Sequence, residues 1–115
     1  MSARVLSLHL PGTPNYLITA RSFVGAVARV LGLVGSPLDD LRLATSELLT
    51  VAIERGVPRV EISVQNQEDA IQVHISTGGS QLEIPEATAE LLHNLLGSEG
   101  WAMADAWLLP IRVLR

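Results

Sequence analysis

The chain has 115 residues, 48% of them hydrophobic, and a formal net charge of −4, which fits one domain over residues 1–115 with a single, mainly aliphatic core. It contains no cysteine and no lysine, and its arginines are scattered, which excludes disulfides and a phosphate-loop lysine and disfavours nucleic-acid binding. No apolar stretch approaches the roughly 20 residues that span a bilayer, and the N-terminus lacks a secretory-signal pattern, so we expect a cytoplasmic protein without a membrane segment.

The first half of the chain predicts one strand followed by two helices. Residues 4–10 alternate between apolar and polar side chains, as a half-buried strand does. Thr13-Pro14 and Ser36-Pro37 each combine a hydroxyl cap with a proline in the first turn, and apolar residues recur at helical spacing after both. Gly32 and Gly56 are the expected ends of these two helices.

The second half begins with a change from helical to alternating periodicity. Residues 60–64 and 71–75 predict two strands, and their short polar connection predicts an antiparallel hairpin. The glycine turn at residues 77–80 follows, and Pro85 then begins a helix that we expect to continue through Leu96.

The C-terminal part predicts a glycine break at residues 97–100, a short apolar helix from Trp101 to Trp107 and a closing strand over residues 110–114. The resulting order is β-α-α-β-β-α-α-β. Two helices followed by a hairpin favour an α+β fold, a two-layer α/β sandwich whose mainly antiparallel sheet is covered on one face by helices. A doubly wound parallel sheet would require strict alternation of strands and helices.

Three segments hold the candidate chemistry: residues 46–56 on the second helix, residues 73–79 at the end of a strand, and residues 97–103 after the third helix. Together, and in this order, they resemble the histidine-kinase-like (GHKL) ATPase domain. The most similar branch is that of the small anti-sigma-factor serine/threonine kinases. The resemblance covers nearly the whole chain and implies the same sandwich fold.

In that family the second helix carries a Glu and, one turn later, an Asn, so both side chains face the same cleft. The resemblance implies that the Glu orients or deprotonates the attacking hydroxyl and that the Asn holds Mg²⁺. Here Glu47 is present, but Val51 stands at the Asn position and has no oxygen to offer. Glu47 is therefore either the remnant of a general base or an ordinary surface carboxylate, and Val51 is expected to pack in the core.

The adenine-binding position is altered in the same way. The family places an Asp before its first glycine turn, whereas this chain has Thr77, or Ser76 if the register slips by one. The resemblance assigns Gly79, Gly97 and Gly100 to the nucleotide site, where glycine lets backbone amides approach phosphate. The alternative interpretation, which we favour, is that these glycines serve as turn and cap residues.

Two further features argue against nucleotide binding. Glu99 places a negative charge beside the glycine segment, and residues 80–96 leave little room for a mobile lid over ATP. We also expect no metal site, because the three histidines lie on different predicted elements, at His9, His74 and His93. Neither ATP nor Mg²⁺ is therefore expected as a cofactor.

These features predict a regulatory protein-binding module with lost or impaired Mg-ATP binding that acts in a bacterial transcription or signalling switch. By resemblance, its partner would be a sigma factor or an anti-sigma antagonist of the STAS type, and self-association as a homodimer is a further expectation. One alternative is an active serine/threonine protein kinase that phosphorylates a STAS-type antagonist. In it Glu47 would be the base, Thr77 would contact adenine, and Mg²⁺ would be held by phosphates and water. Another is a purely structural domain.

Overall fold

The computed structural model describes residues 5–101 and 108–114. Four strands form one antiparallel sheet in the order β1-β2-β3-β4. The bounds of the helices and strands are β1 (Val5–Pro11), α1 (Leu17–Val30), α2 (Ser36–Glu54), β2 (Arg59–Asn66), β3 (Ala70–Ser76), α3 (Glu86–Gly100) and β4 (Leu108–Leu114). The predicted α+β sandwich with an antiparallel sheet is therefore confirmed.

The helices cover one face of the sheet. Helix α1 lies over β1 and β2, whereas α2 contacts α1, α3 and β4. The strands alternate between apolar and polar residues because successive side chains point to opposite faces of the sheet. The apolar side chains point toward the helices. The buried strand residues of that inner face include Val60, Ile62, Val64, Ile71, Val73, Ile75, Leu109 and Ile111. No helix in the described ranges is long and apolar enough to cross a membrane.

Helices α1 and α2 both begin differently from the sequence prediction. Thr13 makes no side-chain capping hydrogen bond, and a turn of 3-10 helix at Pro14–Tyr16 precedes α1. Gly35 occupies the cap position of α2, which makes Ser36 the first helical residue. The predicted hydroxyl caps are therefore wrong, whereas the prediction of where each helix runs is confirmed.

The chain after α3 also departs from the prediction. Gly97 interrupts the helix with a φ of 73° and a ψ of 174°, as expected of a glycine break. Trp101, however, is extended and forms an antiparallel bridge with Ile111 of β4, so the predicted short helix does not begin there. The rest of that predicted helix, residues 102–107, lies outside the described residues. Strand β4 begins at Leu108, before the predicted start at Pro110.

A close backbone contact fixes the passage from β1 to α1. The Gly12 amide donates a hydrogen bond to the Pro58 carbonyl, with an N–O distance of 2.9 Å. A Cβ atom at Gly12 would lie 1.7 Å from the carbonyl oxygen of Val57, so only glycine fits. This contact holds the first connection against the segment that leads from α2 into β2.

We predict that Gly12→Ala lowers the free energy of unfolding by about 2 kcal/mol or more, because the added methyl group must push the Val57 backbone away. Gly56→Ala is the matched control: Gly56 lies at the left-handed C-terminal cap of α2 with a φ of 76°, and its added methyl group would meet nothing within 4 Å. That variant should lose only about 1 kcal/mol through backbone strain. Denaturant midpoints measure both changes, and equal losses would contradict the contact described here.

Candidate functional site

Glu47 and Val51 lie one turn apart on α2, so their side chains share a face of that helix. Glu47 is half-buried, and it forms no hydrogen bond or ion pair with the described part of the chain. Val51 is 5% exposed. The Glu47 carboxylate therefore remains accessible, whereas Val51, one helical turn later, offers only methyl groups.

Thr77 directly follows β3 and is 1% exposed. Its hydroxyl donates a hydrogen bond to the Ser80 carbonyl oxygen at 2.6 Å, and the Ser80 amide donates to the Thr77 carbonyl at 3.3 Å. The Thr77 side chain thus closes the turn that carries Gly78 and Gly79. The alternative residue, Ser76, is half-buried at the end of the strand, and its Oγ accepts a hydrogen bond from the Gly78 amide at 3.5 Å.

The glycines of the two glycine segments have separable roles. Gly78 and Gly79 have φ values of 67° and 90°, and a Cβ atom at either would meet nothing within 4 Å. Their left-handed conformation, and not a close contact, is what favours glycine at this turn. Gly97 breaks α3, and its carbonyl accepts a hydrogen bond from the Trp101 amide at 3.2 Å.

Gly100 is a packing residue between α3 and β4. It is buried, and a Cβ atom there would lie 2.7 Å from the carbonyl oxygen of Arg112 and 2.8 Å from Cβ of Leu96. The close approach lets the next residue, Trp101, pair with β4. The family resemblance assigned Gly100 to the nucleotide site, and the interpretation favoured from the sequence was a turn or cap residue. Neither predicted this packing, because a contact with a distant strand has no local sequence signal.

Three cavities lie apart from Glu47 and Val51. One of about 370 Å³ lies at the strand ends and is lined by residues that include Thr77, Gly78 and His9. A second, of about 470 Å³, lies between α1 and α2, and a third, of about 220 Å³, lies between α2, α3 and β4. None of these three is lined by Glu47 or Val51, so they do not join the α2 pair to the Thr77 turn.

The residues present do not fit Mg²⁺ and adenine in the way that the family resemblance implies. Mg²⁺ requires oxygen ligands in near-octahedral geometry, and the buried Val51 side chain supplies none. An adenine amino group requires an acceptor that it can reach, and Thr77 is only 1% exposed within the turn that its hydroxyl closes with Ser80. Within residues 5–101 and 108–114, no group of three or more His, Cys, Asp or Glu side chains could hold a metal ion.

Two features of α2 were missed by sequence reasoning, a buried hydroxyl without a partner in the described part of the chain and a contact with α1. Thr45 is 0% exposed, and its hydroxyl has no hydrogen-bond partner among the described residues. Arg42 lies across Gly25 of α1, where a Cβ atom would be 2.6 Å from the Arg42 Nε. The only signal for Thr45 is its spacing from Leu41 and Leu48, which places it in the apolar stripe of the helix.

Comparison with known proteins adds two findings. A sequence model of the histidine kinase-like ATPase domain matches residues 10–104. Proteins named serine-protein kinase RsbW from Listeria innocua and Listeria monocytogenes are 26% identical to this chain over an alignment of 91 positions, which covers 75% of this chain and 58% of theirs. The chain thus spans little more than half the length of these relatives.

We predict opposite effects for the same substitution at the two buried threonines. Thr77→Val should lower the free energy of unfolding by about 1 kcal/mol, because the Ser80 carbonyl loses its donor. Thr45→Val should raise it by about 1 kcal/mol, because a hydroxyl without a partner is replaced by a methyl group of similar volume. Urea unfolding measures both variants, and a loss of stability in Thr45→Val would show that its hydroxyl has a partner after all.

Proposed function

Since the chain belongs to the histidine kinase-like ATPase domain family, we propose that it is a regulatory protein-binding module whose Mg-ATP site is lost or impaired. The partner we propose is a sigma factor or a STAS-type anti-sigma antagonist in a cytoplasmic bacterial switch. This partner class follows from the resemblance to anti-sigma-factor kinases and from the similarity to RsbW. A homodimer is part of the same proposal.

The burial of Val51 is the observation that carries the proposal. Its side chain lies on the same face of α2 as Glu47, at the position where a metal ligand would have to present an oxygen. A valine there makes a buried apolar surface and cannot bind a cation. An asparagine at this position would help to hold Mg²⁺ against a triphosphate. Valine contributes no such free energy of binding, although the helix itself is kept.

The Thr77 turn supports the same conclusion from a second element. A carboxylate is a stronger and more directional acceptor than a hydroxyl. Because Thr77 is 1% exposed in a turn closed by its own hydrogen bond to Ser80, its hydroxyl could meet a base only if that turn opened. Loss at two positions on separate elements favours loss of nucleotide binding over a rearrangement of one ligand.

One observation favours the alternative, an ATP-dependent serine/threonine protein kinase. Glu47 keeps its carboxylate, half-buried and without a hydrogen bond to the described part of the chain, as a general base would require. Mg²⁺ would then be held by the phosphates and water alone. This alternative also differs from the first proposal in its requirement for nucleotide, which makes the two experimentally separable.

We predict that the full chain binds its sigma-factor or STAS-type partner with the same dissociation constant in the presence and absence of Mg-ATP. The reason is that the binding surface is part of the folded domain and needs no nucleotide to complete it. Candidate partners from the same genome should be tested by calorimetry with purified proteins. Absence of binding to either partner class would contradict the proposed function.

Transfer of radiolabelled phosphate from ATP to the partner distinguishes the kinase alternative from the protein-binding module. With the partner that binds, we expect no transfer above a protein-free control. If phosphate is transferred, and Glu47→Gln abolishes the transfer whereas Glu54→Gln does not, the chain is an active kinase. That result would contradict the proposed protein-binding module. Glu54 is a suitable control because it is exposed at the C-terminal end of the same helix.

A further inference from the structure

Two arginines line the cavity between α1 and α2, in a chain whose net charge is −4. The cavity has a volume of about 470 Å³, which is within the usual range of small-molecule sites. Arg21 lies on its α1 side and Arg42 on its α2 side. The other residues that line it are Ile18, Ser22, Asp39 and Leu43.

The absence of a side chain at Gly25 provides the space in which Arg42 lies. A Cβ atom at Gly25 would be 2.6 Å from the Arg42 Nε and 3.1 Å from its Cζ, so a larger residue would displace the guanidinium group. Gly25 is buried, and Arg42 is half-buried against it. Packing between the helices therefore holds the arginine in place, which reduces the conformational entropy that it would lose on binding a ligand.

Neither of the two guanidinium groups has an anionic partner in the described part of the chain. The ion pairs within residues 5–101 and 108–114 lie on the sheet and on its β2–β3 hairpin. Asp39 lines the same cavity but forms an ion pair with neither arginine. A charge that is partly removed from water is stabilised by an opposite charge and by acceptors for its N–H groups. Arg42 therefore stands to gain from an anion bound in the cavity.

The charges around the cavity favour a ligand with a single phosphate. Two arginines and one aspartate line it, so the positive charge is in excess. A phosphate monoester carries a charge of about −1.5 to −2 at pH 7, and its oxygens can accept hydrogen bonds from both arginine forks. Asp39 would repel a second phosphate, which argues against a polyphosphate chain.

The remaining residues that line the cavity suit a small hydroxylated molecule. The Ser22 hydroxyl can donate or accept a hydrogen bond, and the Asp39 carboxylate can accept one from a sugar hydroxyl. Ile18 and Leu43 are 73% and 42% exposed, so an apolar surface lies beside these polar groups. A few polar groups set in apolar walls are typical of small-molecule sites.

We propose that this cavity binds a small phosphate monoester of the sugar-phosphate class. The phosphate lies between Arg21 and Arg42 and accepts hydrogen bonds from both. The sugar hydroxyls bond to Ser22 and Asp39. The site lies apart from the altered nucleotide positions, and it does not depend on the protein partner proposed above.

Calorimetric titration of the full chain with ribose 5-phosphate tests the proposal. We expect saturable binding of ribose 5-phosphate, weaker binding of inorganic phosphate and no binding of ribose. The reason is that the arginines hold the phosphate, whereas the sugar adds contacts that are too weak alone. Absence of ribose 5-phosphate binding at millimolar concentration would overturn the proposal. Equal or tighter binding of inorganic phosphate, or of the dicarboxylate succinate, would overturn it as well.

Substitution of single arginines locates the binding site. Arg21→Gln and Arg42→Gln should each raise the dissociation constant of ribose 5-phosphate at least about tenfold, because each removes charge-assisted hydrogen bonds. Arg29→Gln is the matched control: Arg29 is exposed on the same helix as Arg21 but does not line the cavity, so this variant should bind like the parent. Equal weakening by all three substitutions would indicate a general attraction to positive charge and contradict the site.

Gly25→Ala tests the position of Arg42 without removing a charge. The added methyl group would displace the guanidinium group, so the dissociation constant of ribose 5-phosphate should rise at least about threefold. The melting temperature should not fall, because alanine favours a helix more than glycine does. A folded Gly25→Ala variant that binds as tightly as the parent would contradict the proposal.

Discussion

The burial of one side of α2 is the constraint on which the rest of the structure depends. Leu41, Leu48 and Ala52 are fully buried there, between α1 on one side and α3 with β4 on the other. Because this helix contacts both other helices, it sets the position of everything that covers the sheet. Burying a side chain of leucine size contributes about 2 kcal/mol, so this side of α2 is a large part of the stabilising free energy.

The same helix carries the residues that define the family's chemistry, and this links stability to function. Val51 lies beside the fully buried stripe and extends apolar burial toward Glu47. An amide at that position would have to be hydrogen-bonded or coordinated to offset its desolvation. Replacement by valine removes that requirement, and the helix can then be kept for its packing alone. Retention of the fold with loss of the metal ligand is thus a physically consistent combination.

The sequence could predict the elements but not all of their ends. Apolar periodicity placed α1, α2 and the β2–β3 hairpin correctly, because one buried face per element imposes a fixed spacing. The caps at Thr13 and Ser36 were wrong because Gly35 and a 3-10 turn begin the helices instead. The predicted helix start at Trp101 was wrong because the extended conformation of this residue depends on pairing with Ile111. The sequence around Trp101 does not encode that contact.

For the candidate site, residue types and spacing indicate candidate positions but not the contacts that those residues make. The family resemblance identified Val51 and Thr77 as altered positions. It could not indicate that the Thr77 hydroxyl closes its own turn with Ser80, nor that Gly100 packs on the Arg112 carbonyl. Both facts depend on ångström-scale geometry that residue types and spacing do not encode.

The most direct test of the central claim is calorimetric titration of the full chain with Mg-ATP at millimolar concentration. The account predicts no saturable heat, because Val51 cannot hold the metal and the Thr77 hydroxyl is buried in its own turn. Stoichiometric binding of Mg-ATP would contradict it.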